Sequence, residues 1–203
     1  MNSSDFDTQT LDFYNAEAPV YSASAKNGTS RHLNRFLEQL GSNKSILELG
    51  CGGGKDSLAM IEAGHNVFPT DGSAEMARKA QEVLGQPVSV LRFDEINFDC
   101  DFDGVWAHAS LLHVPRSALP MVLTKIWRAL KPGGLHFANF KTGIGDGRDR
   151  FGRYFNYFSP QEVRDCYGNS ETWTEIWSEE YPGKGYDDEP TQWFAIILMK
   201  PIS

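Results

Sequence analysis

Short apolar runs, each closed by a carboxylate or a glycine turn and separated by stretches of helical periodicity, most limit what this chain can fold into. In "SILELGCGGGKDS" (45–57) Ile46 to Leu49 read as a buried strand. The glycines form a turn, and "KDSLAMIEA", stopped by Gly64, is the helix that follows. "HNVFPTD" (65–71) reads as a second strand ending in Asp71. From Ser73 as N-cap, a helix runs through Met76, Ala77, Ala80, Val83 and Leu84 to a Gly85 stop. "VSVLRF" (88–93), "FDGVWA" (102–107) and "LHFANF" (135–140) are the third to fifth expected strands. The helix after Pro120 carries Leu123, Ile126, Trp127 and Leu130 on one face and stops at "KPGG". Strands and helices alternating at this spacing predict a parallel sheet covered on both faces, because right-handed crossovers leave few other arrangements.

Both ends depart from the alternation. Residues 1–9 are polar, and "LDFYNAEAPVYSASA" (11–25) fits a short helix or a lid. After Thr29 or Ser30 as cap, Leu33, Phe36, Leu37 and Leu40 recur at helical spacing up to Gly41. Toward the other end, Ser159-Pro160-Gln161-Glu162 is a capping box that opens a helix of about two turns. "TWTEIWSEEY" and "TQWFAIILMK", joined by the turn-rich "PGKGYDDEP", read as an antiparallel hairpin added to the sheet. The expected fold is therefore α/β: a doubly wound, mostly parallel seven-stranded sheet with helices on both faces and a C-terminal antiparallel hairpin. The 203 residues are expected to form a single domain.

A formal charge of −8 with no long basic run argues against nucleic acid as a partner. Cys51, Cys100 and Cys166 are odd in number and share no CxxC or Cys/His spacing, so neither a disulfide framework nor a metal centre is expected. No basic leader and no run of about 20 apolar residues is present, and a cytoplasmic protein without membrane contact is expected.

In an open α/β sheet, ligands bind beyond the carboxyl ends of the strands. Here those ends carry Glu48 with Gly50–Gly54, then Asp71, Asp94 with Glu95, Ala107 with His108, and Asn139 with Lys141. Gly50 and Gly52 fit a dinucleotide fingerprint, but Lys55 stands at its third glycine. Asp71 is placed to accept ribose hydroxyls from either a nicotinamide or an adenosylmethionine cofactor. Glu48 discriminates between the two: a buried carboxylate repels a pyrophosphate and attracts an ammonium or sulfonium group.

"ILELGCGGG", "FPTDGSAEM", "RFDEI", "FDGVWAHASLLHVP" and "ALKPGGLHFANFK", in this order, resemble the strand-end motifs of the class I S-adenosylmethionine-dependent methyltransferases. The resemblance spans roughly residues 11–200. "WAHASLLHVP", "NFKTG", "GRYF" and "QWFAIILMK" are most similar to small bacterial members related to the tellurite-resistance type. The resemblance implies a 1–44 lid segment, a 45–141 cofactor-binding core and a 142–203 acceptor portion. It implies that Gly50, Cys51 and Gly52 approach S-adenosyl-L-methionine closely and that Glu48 holds its ammonium end. By the same resemblance Asp71 takes the ribose hydroxyls with Gly72, Ser73 and Met76 beside it, Asp94 accepts from the adenine amine next to Phe93, and Ala107 and Leu112 line the fourth-strand side. Pro69 departs from the pattern inside the second strand, where it removes a ladder donor.

The acceptor implied is a small molecule, carboxylate, thiolate or oxyanion among the candidates, taken by a monomer or homodimer without a metal. His113 is equally consistent with a base facing the acceptor and with a residue packing the turn before Pro115. His136 is expected to be structural, whereas His108 remains a candidate for lining the pocket. "KTGIGDGRDRFGRYF" (141–155) gathers Lys141, Arg148, Arg150 and Arg153. It reads either as a solvated loop or as a lid whose arginines, Arg153 among them, orient an anionic acceptor while Tyr14 and Tyr21 close the other side. A nicotinamide-dependent oxidoreductase and a non-catalytic cofactor-binding module are the alternative readings.

Overall fold

A computed structural model describes residues 6–24, 29–186 and 188–202. The chain runs α1 (Thr8–Ser24), α2 (Leu33–Leu40), β1 (Ser45–Leu49), α3 (Lys55–Glu62), β2 (Asn66–Asp71), α4 (Ala74–Leu84) and β3 (Ser89–Val90), then β4 (Phe102–Ala107), α5 (Leu119–Ala129) and β5 (Leu130–Lys141). There follow β6 (Asp146–Arg148), β7 (Tyr154–Asn156), α6 (Pro160–Ser170), β8 (Thr174–Lys184) and β9 (Pro190–Met199). The main sheet has the order β3-β2-β1-β4-β5-β9-β8, with parallel pairs as far as β5 and antiparallel pairs beyond it. From β1 the chain winds outward to β3 and then returns to β4. The winding therefore reverses between β1 and β4, which places the ligand crevice at their carboxyl ends.

Parallel strands covered on both faces must be apolar almost throughout, and Ile46 to Leu49 and Gly104 to Ala107 are all buried. Trp106 is fully buried, stacks on Phe137 at 4.0 Å and donates its indole N–H to Asp56 at 3.0 Å. Gly104 lets α2 lie close to the sheet, since a Cβ there would stand 2.9 Å from Phe36 and 3.0 Å from Leu40. Beyond β5, Trp193 to Leu198 form a continuous buried run that extends the same core under α5 and α6.

Pro69 sits within β2 at no cost to the ladder. Thr70 O accepts from Gly50 and Cys51 toward β1, so Pro69 and Asp71 face β3 instead, and β3 begins only opposite Thr70. The expected third strand shrinks to Ser89–Val90, because Phe93–Glu95 turn into a 3₁₀ helix whose start is closed by the Glu95 carboxylate accepting from Arg92 N–H at 3.0 Å. "KPGG" does not end at the helix: it is already part of β5, with an irregular register against β4. Neither Thr29 nor Ser30 caps α2. His32 occupies the cap without a side-chain bond, and the Ser30 N–H goes to Asp56 at 2.9 Å. Ser73 does cap α4, Ser159 and Glu162 form the capping box, and the helix they open runs to eleven residues. The expected 11–25 segment is a helix from Thr8 with Pro19 inside it, and the glycine-rich 141–155 segment carries the two-stranded ribbon β6–β7.

Candidate functional site

Two adjoining cavities open at the carboxyl ends of β1, β2, β4 and β5. The first, about 300 Å³, is walled by the β1 turn, Asp71 and Gly72 from β2, Met76 from α4, Phe93, the 108–114 segment and the inner face of α1. The second, about 670 Å³, lies toward β5, β8, β9 and the ribbon. Tyr14, Tyr21, Ser30, His108, Ala109 and His113 border both.

In the first cavity, Gly50, Gly52 and Gly54 all have φ between +55° and +80°, a region that β-carbons disfavour. At Gly50 a Cβ would stand 2.7 Å from that of Ser110, so the turn and the 108–114 segment touch backbone to side chain. Glu48 is 3% exposed and accepts from the Ser57 hydroxyl. Burial, with the nearby Asp56 carboxylate second, pushes it up to about 8. Asp71 accepts from the N–H groups of Gly52 and Ser73, both at 2.9 Å, and burial raises it to about 6 despite those bonds. Glu48, Asp56 and Asp71 together crowd three carboxyl groups onto one wall, which keeps Glu48 largely protonated near pH 7 until a cation favours its ionised form. Ser110 is 7% exposed and its hydroxyl has no hydrogen-bond partner among the described residues. A buried, orphaned hydroxyl on a cavity wall calls for a polar ligand.

At the boundary between the cavities His113 Nδ1 lies 2.6 Å from the Tyr154 carbonyl, which can only accept, so the ring proton resides there. Nε2 is left to accept from the Tyr14 hydroxyl at 2.9 Å. Burial lowers His113 to about 4 and raises Tyr14, so both are neutral near pH 7. Arg153 donates to Tyr14 O at 3.2 Å while two of its nitrogens hold Asp149 at 2.9 and 2.7 Å. α1 is latched to the ribbon at two further points: Thr10 Oγ accepts from Tyr154 N, and Arg148 grips Asp7. On its other side Asn15 receives the Ser73 hydroxyl at 2.7 Å.

The expected cofactor residues Glu48, Gly50, Cys51, Gly52, Asp71, Gly72, Met76 and Phe93 thus converge on one cavity. Four others stand off its wall. Ser73 is consumed as N-cap, Ala107 is enclosed in β4, and Leu112 borders the second cavity. Asp94 is gripped by both arms of the Arg92 guanidinium at 3.0 and 3.1 Å, and Arg92 itself borders the first cavity. Tyr14 and His113 meet at the boundary between the cavities. Arg153 joins them as the clamp that holds Tyr14, with its guanidinium committed to Asp149. His136 is packed between Val105 O and the Tyr167 hydroxyl. Sequence reasoning missed Asp56 and Ser110. The signals were there: Asp56 is in the first helical turn after the glycines, and Ser110 lies within "HASLLH".

Residues 46–134 match the family model described as a methyltransferase domain. The chain is 32% identical over 118 residues to the cypemycin N-terminal methyltransferase of a Streptomyces species, covering 52% of this chain and 47% of that one. It is 34% identical over 115 residues to the tRNA 5-carboxymethoxyuridine methyltransferase of Escherichia coli K12, covering 51% and 42%. The chain spans less than half the length of these relatives. Among solved structures, the 1,6-didemethyltoxoflavin-N1-methyltransferase of Burkholderia thailandensis superposes with a TM-score of 0.79 at 17% identity, over 95% of this chain and 88% of that one, which speaks to the fold. The residues present fit S-adenosyl-L-methionine, the cofactor that the motif resemblance implies. The carboxylate wall suits its cationic amino-acid end, the glycine turn leaves room for close approach, and the Ser110 hydroxyl supplies an unspent polar group. Among the described residues no group of three or more His, Cys, Asp or Glu could hold a metal ion, and no helix is long and apolar enough to cross a membrane.

Proposed function

We propose that the protein transfers the methyl group of S-adenosyl-L-methionine to a small-molecule acceptor held in the second cavity. The observation that carries this reading is the Tyr14–His113 pair, set where the cofactor cavity and a larger second cavity meet. The cofactor supplies an electrophilic methyl carbon on a sulfonium sulfur. In this reading Glu48 faces the ammonium end, Asp71 accepts the ribose hydroxyls, and Gly50 and Gly52 let the backbone close in.

The chain then has two tasks. It aligns the acceptor for in-line displacement and excludes water, which α1 and the ribbon do by roofing the site. It also provides for a proton, where the nucleophile carries one: Tyr14 O is the neighbouring acceptor and His113 Nε2 stands behind it, its tautomer fixed by the Tyr154 carbonyl. An acceptor that is already ionised needs no such relay.

One relative acts on tRNA and another on a peptide N-terminus. Here the second cavity is small and the chain carries a charge of −8, which favours a small acceptor over a polyanion. The likeness of "WAHASLLHVP" and "NFKTG" to the tellurite-resistance type keeps tellurite and selenite on the panel. The test is release of S-adenosylhomocysteine from a panel of thiols, carboxylates, amines and oxyanions, with bulk tRNA included. Turnover with a small molecule supports the reading. Turnover with tRNA alone, or nicotinamide binding without adenosylmethionine affinity, would sink it.

A further inference from the structure

The amino-acid end of S-adenosyl-L-methionine is a zwitterion. Glu48 and Asp56 suit its ammonium but repel the carboxylate carried on the same carbon, so a donor has to face that carboxylate from beside Glu48. Most donors on this side are spent. The Ser30 N–H and the Trp106 indole N–H both go to Asp56, at 2.9 and 3.0 Å, and the Gly52 N–H goes to Asp71 at 2.9 Å. The Arg92 guanidinium is taken by Asp94 and Glu95, and Lys55, which opens α3 on the same cavity, also has a partner.

His108 differs from all of these. It borders both cavities, and neither ring nitrogen makes a hydrogen bond among the described residues. The other histidine on that border, His113, has both nitrogens engaged. The His108 ring is held flat, 8° from the plane of Trp106 at 6.0 Å and 13° from that of Phe137 at 6.2 Å. Asp56 acts on His108 and Glu48 alike: it raises Glu48 and opposes the burial that lowers His108, which places the three groups together. Ala109 follows with φ +50°, uncommon for a residue with a β-carbon, and its N–H is held by the buried Asn139 carbonyl at 2.5 Å. That turn takes the chain out of β4 and brings His108 and Ser110, on either side of it, to the cavity wall. Ser110 stands against Gly50, at the glycine turn, whereas His108 stands toward Asp56.

We propose that a ring N–H of His108 holds the α-carboxylate of the cofactor while Glu48 faces its ammonium. The ring is uncommitted at both nitrogens, so the tautomer that donates to the carboxylate is selected on binding, and the stack on Trp106 and Phe137 sets its plane beforehand. This rests on the methyltransferase reading above.

Calorimetry on the full chain tests it with S-adenosylhomocysteine and its decarboxylated analogue S-adenosyl-3-thiopropylamine, which keeps the ammonium and lacks the carboxylate. The unaltered protein should bind S-adenosylhomocysteine about tenfold tighter or more, as expected for one hydrogen bond to a buried carboxylate. His108→Phe keeps the stack and should collapse that preference to within about twofold. One of His108→Asn and His108→Gln, whose amide N–H groups stand in for the two ring nitrogens, should restore most of it, and Ser110→Ala should weaken both ligands alike. In the unaltered protein the His108 ring-nitrogen NMR resonances should move with S-adenosylhomocysteine and stay in place with the amine. The proposal is overturned by equal binding of the two ligands, by a preference that survives His108→Phe, or by a loss that neither amide restores. It is overturned too if Lys55→Gln alone removes the preference, which would give the carboxylate to Lys55. Failure of S-adenosylhomocysteine itself to bind is a separate outcome, and it would sink the methyltransferase reading instead.

Discussion

The two cavities share a border but not a chemistry. On one side Glu48, Asp56 and Asp71 crowd carboxylates around a glycine turn, and on the other, aromatic faces surround lysines and arginines. The first is assembled from successive strand ends on the parallel half of the sheet, with α1 closing over them. The second gathers α1, the β5 end, the ribbon and the terminal hairpin, from opposite ends of the chain. On the proposed reading each specificity resides in a different part of the fold: the sheet topology builds the cradle for a cationic ligand, while the chamber proposed for the acceptor depends on peripheral segments that can vary without disturbing the cradle.

The comparison breaks most readily at Asp71. Asp71→Ala removes both the acceptor for ribose hydroxyls and the anchor for Gly52 and Ser73 N–H, so S-adenosylhomocysteine affinity should fall about 100-fold or more by calorimetry, as expected for losing charge-assisted bonds at a buried site. Binding to the second cavity should be affected far less. If both fall together, the cavities are one site rather than two.

Tyr14→Phe tests the border itself. It keeps the ring against Tyr21 but removes the hydroxyl shared by His113 and Arg153, so turnover of a protonated acceptor should drop about 10- to 100-fold with cofactor affinity unchanged. Arg153→Ala should instead lower stability by about 1–2 kcal/mol, because the half-buried Asp149 loses its guanidinium partner and keeps only the N–H donors of residues 151 and 153. Chemical denaturation would register it, and an unchanged midpoint would refute the clamp.

Protonation sharpens the difference further. The carboxyl of Glu48 is raised from 4.5 to about 8, so the free fold binds that proton more tightly than the unfolded chain does. Its contribution to stability is therefore full below about pH 4.5 and is lost as pH rises through 8. A bound ammonium reverses this by favouring the carboxylate. Cofactor binding at pH 7 should release up to about one proton, visible as a dependence of the calorimetric enthalpy on the buffer, and its affinity should climb between pH 6 and 8. Glu48→Gln should abolish both effects, and their persistence would assign the proton elsewhere. The smallest effect is expected at Ser110→Ala, about 1 kcal/mol or less of cofactor affinity, roughly fivefold, from one neutral hydrogen bond.

The sheet and the cradle were legible because local rules and global fold agree there. Ser73 caps, Gly85 stops, and Ile46 to Leu49 are buried on both faces. What escaped depends on partners distant in sequence. Asp94 reads as a strand-end acceptor until Arg92 is seen to grip it, and Arg153 reads as an acceptor clamp until Asp149 takes both arms of its guanidinium. The short β3 and the polar ribbon lack the length and periodicity that mark a strand. Pro69, conversely, looked like a defect only while the side of β2 it faces was unknown.

The three ties between α1 and the ribbon, Asp7 to Arg148, Thr10 to Tyr154 and Tyr14 to Arg153, join residues about 140 positions apart. For anyone recombining such proteins, these two segments form one inheritable part. Transplanting a ribbon from a relative without its matching N-terminal helix would leave an unmated arginine, a vacant hydroxyl and an untethered tyrosine at the seam, whereas exchanging both at once would carry a new acceptor preference onto an intact cofactor cradle.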